Sequence, residues 1–420
     1  ADPEVRKVIF DEETLGNCIR YVVSHEIGHC LALMHNMSGS AAIPTDSLRS
    51  PSFTRKYGTT YSIMDYARNN YVAQPGDKER GVKLTPPDLG EYDLFTIKWL
   101  YTPLLDAKTA GEEVPVLNRW ITETSGNPVY RYGKQQINGK LDPSSLEEDL
   151  GDDAVKSATY GIRNLKYVLA NMNDWVGEDD PDYTFRQNMY NEIIYQYVRY
   201  VNHVLLNIGG LYLNERYDGD LLPSYSVVPK EKQKSAFDFL LGQVRDLAWL
   251  NAPELQQKFP LMSDISTELE EKIFGALMSR SWSVALAAAK DNNKDTYTTK
   301  EFLKDVQDYV FAPTRKGKTL TVQEKKMQME LLRQILLFSG LGKKGMSGSP
   351  LTITDVCRMV DVPEQVKMKS RERYGVLPAE IMGRFTNAEQ LESCGNAPVV
   401  GHLPESVLQR QGFGYWVNVK

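Results

Sequence analysis

The chain has 420 residues, 41% of them hydrophobic and 25% charged, with a formal net charge of −6. That length predicts two or three packed units, and the composition is ordinary for a globular protein. The acidic balance gives no electrostatic case for nucleic acid or an anionic membrane as partner, and no apolar run reaches the length of a transmembrane segment.

In chain order, the elements divide into three parts. Residues 1–105 hold all the recognisable chemistry. Residues 106–340 read as a mainly helical domain with a short hairpin, and residues 341–420 as a C-terminal linker with a small helical or irregular tail. The hairpin is expected over about 113–135, where Val114-Pro-Val-Leu and Val129-Tyr-Arg-Tyr flank the turn signal Gly126-Asn127-Pro128. Apolar residues at three- and four-residue spacing predict helices over 153–174, 184–208, 230–250, 264–279, 299–311 and 321–339. Gly340 to Pro350 reads as a flexible joint. The four cysteines, Cys18, Cys30, Cys357 and Cys394, are too few for a disulfide scaffold. Cys18 and Cys30 fall about 18 Å apart along one predicted helix, beyond disulfide reach.

That helix carries Ser24-His-Glu-Ile-Gly-His-Cys-Leu-Ala-Leu-Met-His-Asn36. His25 and His29 project about 40° apart and one turn along the axis, where one metal ion can bridge them. Glu26 stands beside the metal without binding it, placed to take a proton from an activated water. Three of the chain's 5 histidines lie within eleven positions, a pattern that composition alone yields on the order of once in ten thousand such chains. Ile19, Val23, Ile27 and Leu31 form an apolar stripe expected to seat in a core with Cys30, the histidines facing a cleft. On an unbroken helix His35 would point roughly 80° away from His25 and lie about 15 Å along the axis. It joins the site only if the chain turns sharply after His29; the alternative third ligand is a carboxylate from further along.

These residues resemble the metzincin zinc peptidases, in which H-E-x-x-H-x-x-G-x-x-H makes that turn at glycine. Here Ala32 takes the glycine's place. The resemblance extends to Ser62-Ile63-Met64-Asp65-Tyr66, which looks like the Met-turn whose methionine lies beneath the imidazoles. It makes Met64 structural, and gives Tyr66 the role of binding the metal at rest and stabilising the oxyanion during turnover. Leu84-Thr85-Pro86-Pro87-Asp88, followed by Tyr92, Ile97, Trp99, Leu100 and Tyr101, resembles the closing helix of the catalytic domain, starting at the prolines.

The wider chain, in Gly151-Asp152-Asp153, Tyr160-Gly161-Ile162-Arg163-Asn164-Leu165 and Asn207-Ile208-Gly209-Gly210, is similar to large extracytoplasmic bacterial zinc metalloproteases. In these a metzincin segment runs into a helical region. Asn36, after the third histidine, matches neither the astacin nor the serralysin branch.

The implied fold is α+β and predominantly helical: the lower half of a metzincin catalytic domain followed by a large helical domain with short hairpins. The implied function is a zinc metalloendopeptidase located outside the cytoplasm, with Zn2+ held by His25, His29 and His35, and with Glu26 and Tyr66 catalytic. The partners implied are a protein or peptide substrate and an N-terminal subdomain. In metzincins that subdomain binds substrate along an edge strand and precedes the zinc helix; with about 15 residues before the helix here, the chain reads as lacking it and as a mature form or fragment that need not be active alone. From another functional class comes a binding or scaffold protein that keeps the zinc for structure; an intact Glu26 favours the enzyme.

Other signals are set aside. Asp291-x-Asn293-x-Asp295 begins like a calcium loop, but Thr296 stands where the turn needs glycine and the bidentate acid is misplaced. The run from Gly340 lacks the order of a phosphate loop. His203 reads as a packed or half-exposed helix residue and His402 as a surface residue.

Overall fold

The computed structural model describes residues 2–339 apart from 68, 86–87, 138, 217–219, 221, 261–263, 292 and 294, with the backbone alone over 336–339. The expected joint and tail, with Cys357, Cys394 and His402, lie outside the described residues. The chain packs as two compact units: Ala1–Val228 with Gln257–Phe259, and Pro229–Gln256 with the described residues from Pro260 on. The fold is α+β and predominantly helical.

The first unit opens with helix α1, Glu12–Cys30. Asp11 caps it by accepting the Thr14 N–H at 2.7 Å, and Glu12 and Glu13 complement the positive end of the helix dipole. Its buried residues are Tyr21, His25 and Gly28, an i, i+4, i+7 face. The predicted core stripe points the other way: Ile19, Val23 and Ile27 are 54%, 49% and 52% exposed, and Cys30 is exposed rather than core. The histidine side is the one that packs, because Tyr21 closes a small apolar cluster with Leu33, Ile63 and Met64.

Between α1 and helix α3 the chain has little regular structure beyond the short α2, Pro51–Tyr57. Buried side chains satisfy its backbone instead. Asn70 donates to Leu48 O at 2.8 Å and Gln74 to Tyr160 O at 3.0 Å, while Asp77 accepts from Arg49 Nε at 2.7 Å and Nη2 at 3.2 Å. Helix α3, Glu91–Tyr101, begins at the cap Gly90, later than the prolines that the sequence suggests. A Cβ at Gly90 would lie 1.8 Å from Tyr61 O, so only glycine admits this approach.

The hairpin expected over 113–135 is not there. Ala110–Thr124 is helix α4 and Pro128–Tyr130 a 3-10 turn. Glu112 and Glu113 in the first turn and Leu117, Trp120, Ile121 and Thr124 at helical spacing outweigh Pro115, which removes one helical hydrogen bond. Helices α5, Ala154–Val176, and α6, Thr184–Leu205, then form an antiparallel pair. It is so close that a Cβ on Gly161 would meet the Tyr200 ring at 2.5 Å. A small antiparallel hairpin follows, β1 (Leu211–Leu213) with β2 (Tyr225–Val227), Tyr212 opposite Ser226.

The second unit is helical: α7 Lys230–Arg245, α8 Pro253–Gln256, α9 Ile265–Ser279, α10 Ser281–Lys290, α11 Thr299–Arg315 and α12 Val322–Ser339. Phe237, Leu240, Phe274, Leu277, Phe302 and Phe311 fill its core. No described helix is long and apolar enough to cross a membrane.

Helix α6 buries His203, whose Nε2–H donates to Glu147 O at 3.1 Å, and burial pushes its pKa down to about 3. Between about 3 and the ordinary 6.5 only the unfolded chain takes up this proton, so stability falls as pH drops through that window. His203→Gln is expected to shrink the stability lost between pH 7.5 and pH 5.0 by about 2 kcal/mol, read from urea unfolding at the two pH values.

Candidate metal centre

Helix α1 ends on a turn that reverses the chain. Leu33 N–H returns to Gly28 O at 3.0 Å, and Ala32 takes φ 61°, a left-handed conformation costing about 1 kcal/mol without glycine. His35 is thereby carried back to the helix. Ring centroids are 4.9 Å apart for His25–His29, 5.2 Å for His25–His35 and 4.6 Å for His29–His35.

Each Nδ1 has an oxygen acceptor: His25 to Ile63 O at 2.8 Å, His29 to Leu33 O at 3.0 Å and His35 to Gln135 Oε1 at 2.8 Å. A carbonyl oxygen only accepts, so each Nδ1 carries the proton and each neutral ring leaves Nε2 bare. The Nε2 atoms of His29 and His35 are 3.0 Å apart. Two lone pairs at that separation repel unless a cation lies between them. Burial lowers the pKa of His25 and of His35, against their hydrogen bonds to Ile63 O and Gln135 Oε1, which raise them. Those two rings are thus favoured in the neutral, metal-binding form. One ligand atom from each histidine lies within 4.8 Å of the others, the one group of three or more His, Cys, Asp or Glu side chains among the described residues that could hold a metal ion. Tetrahedral zinc, with Zn–N near 2.0–2.1 Å, needs its nitrogens about 3.3 Å apart, and this donor set fits it.

Ser62–Tyr66 runs alongside α1, where Ile63 O accepts the His25 Nδ1–H. Met64 is fully buried, and a Cβ on Gly28 would sit 2.4 Å from its Sδ. The Asp93 carboxylate pins the turn, accepting from Ser62 Oγ at 2.8 Å, Ile63 N–H at 2.7 Å and Gly90 N–H at 2.7 Å. The Tyr66 hydroxyl stands 2.9 Å from His35 Nε2, on the side where the bare nitrogens converge.

The sequence model of one family, DUF4953: Met-zincin, matches residues 7–318. The chain belongs to the Met-zincin family. No curated protein and no solved structure matches it. Membership carries a metalloprotease in general terms, and zinc is the metal that a Met-zincin implies. The matched span reaches from the first compact unit into the second, through α11, so that much of the helical part belongs to the family along with the histidines.

Glu26 is exposed on α1, and its charge raises the proton affinity of both His25 and His35, which sets it beside the rings. Cys18 stays outside the cluster. Two residues of this Met-zincin site escape sequence reasoning. Gln135 holds the third ring from 100 positions away, and Asn36 ties the backbone after His35 to Arg131 O at 3.0 Å and Gly133 N–H at 2.8 Å. Neither has a spacing signal. The calcium-like stretch is explained by a lysine: Lys230 Nζ lies 2.8 Å from Asp295 and 2.9 Å from Glu301, supplying the positive charge within the protein.

Gly28→Ala is expected to force Met64 aside and destabilise the chain by about 1–3 kcal/mol. Thermal unfolding of the metal-free protein measures it, and an unchanged melting temperature would show that the methionine does not wedge against the helix.

Proposed function

We propose that this chain is the catalytic part of a zinc endopeptidase, with His25, His29 and His35 as metal ligands, Glu26 as general base and Tyr66 as oxyanion donor. The observation that carries the reading is the set of three bare Nε2 atoms converging next to a carboxylate that binds none of them. When bound, zinc supplies Lewis acidity there, polarising a peptide carbonyl and lowering the pKa of water to near 7. Glu26 takes the proton from the attacking water and delivers it to the leaving amine. The Tyr66 hydroxyl, held at the rim by its contact with His35 Nε2, turns to donate to the developing oxyanion.

The substrate is a protein or peptide. Exposure of Ile19, Val23 and Ile27 supports a packing partner on α1, and the substrate-binding subdomain that precedes the zinc helix in metzincins has the chemistry to cover it. An extracytoplasmic site of action belongs to the same proposal and rests on the resemblance to large bacterial metalloproteases.

Zinc content and peptide cleavage, measured on one set of variants, test the proposal. Glu26→Ala is expected to keep zinc and lose cleavage, whereas His35→Ala loses zinc affinity. Tyr66→Phe is expected to keep zinc and lower kcat about 10²–10³-fold, the usual cost of one oxyanion donor. A zinc-loaded protein with its packing partner that cleaves nothing across a broad peptide library would favour a scaffold with a structural metal instead.

A further inference from the structure

We propose that Gln135 is a positioning residue for the third metal ligand, and that residues 131–136 and 141–147 form a brace built to hold its amide against His35. The inference rests on the metallopeptidase reading and deepens it. The three histidines are not held alike. His25 and His29 ride on α1, and their Nδ1 protons go to backbone oxygens of Ile63 and Leu33. His35 stands outside any helix, and its ring is fixed by a side chain, Gln135, through Oε1 at 2.8 Å.

The amide has one coherent orientation. Its Oε1 accepts from His35 while its Nε2 points at Glu147 Oε1 at 3.5 Å; the reverse orientation would set oxygen against a carboxylate. Glu147 is in turn ion-paired with Lys140, and its backbone oxygen accepts the Nε2–H of the buried His203. The line His35–Gln135–Glu147–His203 thus joins the metal centre to α6.

The backbone on either side of Gln135 is fastened with unusual density. Met37 N–H donates to Gly133 O at 2.8 Å, alongside the two bonds from Asn36. A Cβ on Gly133 would fall 1.9 Å from Ser38 Oγ, so this strand of chain lies flush against the segment that follows His35. Ser145 Oγ donates to Lys134 O at 3.0 Å. Gln136 Nε2 donates to Asp142 O and Ser145 O, both at 2.8 Å, and its Oε1 accepts Leu141 N–H at 2.8 Å and Asp142 N–H at 2.9 Å. An irregular loop fixed at both neighbours of Gln135 leaves its amide little freedom, which is what orienting a ligand from outside the helix requires.

Zinc affinity by chelator competition, the visible spectrum of the cobalt-substituted protein and thermal unfolding of the metal-free protein test the brace, with His35→Ala as benchmark. Gln135→Leu, of similar size without an acceptor, is expected to weaken zinc binding about 10–100-fold. It should also shift the cobalt bands and leave the metal-free melting temperature near that of the wild type. Gln135→Glu combined with Glu147→Gln restores an acceptor for His35 at unchanged net charge and is expected to recover both affinity and spectrum. Wild-type affinity and spectrum in Gln135→Leu would overturn the proposal, as would a loss that the paired exchange fails to recover. These readouts need no cleavage, so a zinc-loaded protein that hydrolyses nothing even with its packing partner would sink the peptidase reading while the brace is judged on its own.

Discussion

Three neutral imidazoles with their bare nitrogens aimed at one point repel one another, and the first unit is built to hold them there. Each ring is fixed through its far nitrogen by an oxygen that only accepts, so none can turn its N–H inward. The cost of this arrangement is modest beside what a metal returns. The left-handed backbone at Ala32 costs about 1 kcal/mol, whereas structural zinc sites in small domains release about 10–16 kcal/mol. Alanine at the turn is therefore tolerable: the Leu33 N–H bond to Gly28 and the burial of Leu33 against Met64 hold a reversal that glycine would make without strain.

Between α1 and α3 the described chain has little regular structure, and buried polar side chains do the work of a backbone ladder there. Asp93 closes the Ser62–Tyr66 turn against the start of α3, and Asp65 holds Ser40 N–H at 2.7 Å and Thr60 Oγ at 3.1 Å. Burial raises the pKa of both carboxyls, that of Asp65 to about 7. Such groups specify one loop conformation rather than adding much net stability, because desolvation offsets most of the hydrogen-bond gain. The same logic extends to Gln136 and Asn36 around the brace. A site whose third ring stands outside any helix depends on such side chains to fix the loops that carry it.

What the sequence makes legible follows from what is local. His25, Glu26 and His29 are fixed by the helical repeat alone, and six of the helices by their apolar spacing. His35 required the Met-turn resemblance, since its approach depends on a φ at Ala32 that no periodicity encodes. The segment over 113–135 was misleading because Val and Pro suggest strand and turn, yet Glu112, Glu113 and an Arg119–Glu123 pair at 3.9 Å support a helix. The α1 stripe misled more instructively. Apolar spacing shows which residues share a face but not which face finds a partner, and here Met64 and Ile63 claim the face with the histidines. Gln135 was invisible because it meets His35 across 100 residues.

The inverted burial of α1 bears on catalysis as well as packing. At 100° per residue, Glu26 lies about 20° from Ile19 and 60° from Val23 around the helix, on the exposed face and within reach of the rings. On the proposed reading, whatever covers that apolar face also forms a wall beside the general base. Excluding water there strengthens the field of Glu26 on an attacking water. Burying the exposed halves of three aliphatic side chains contributes about 2–4 kcal/mol to docking, enough to position a partner but not to hold it alone. Metal binding would then be a property of the first unit by itself, held by α1, the Met-turn and the brace, whereas efficient hydrolysis would depend on the surface that seats against Ile19, Val23 and Ile27.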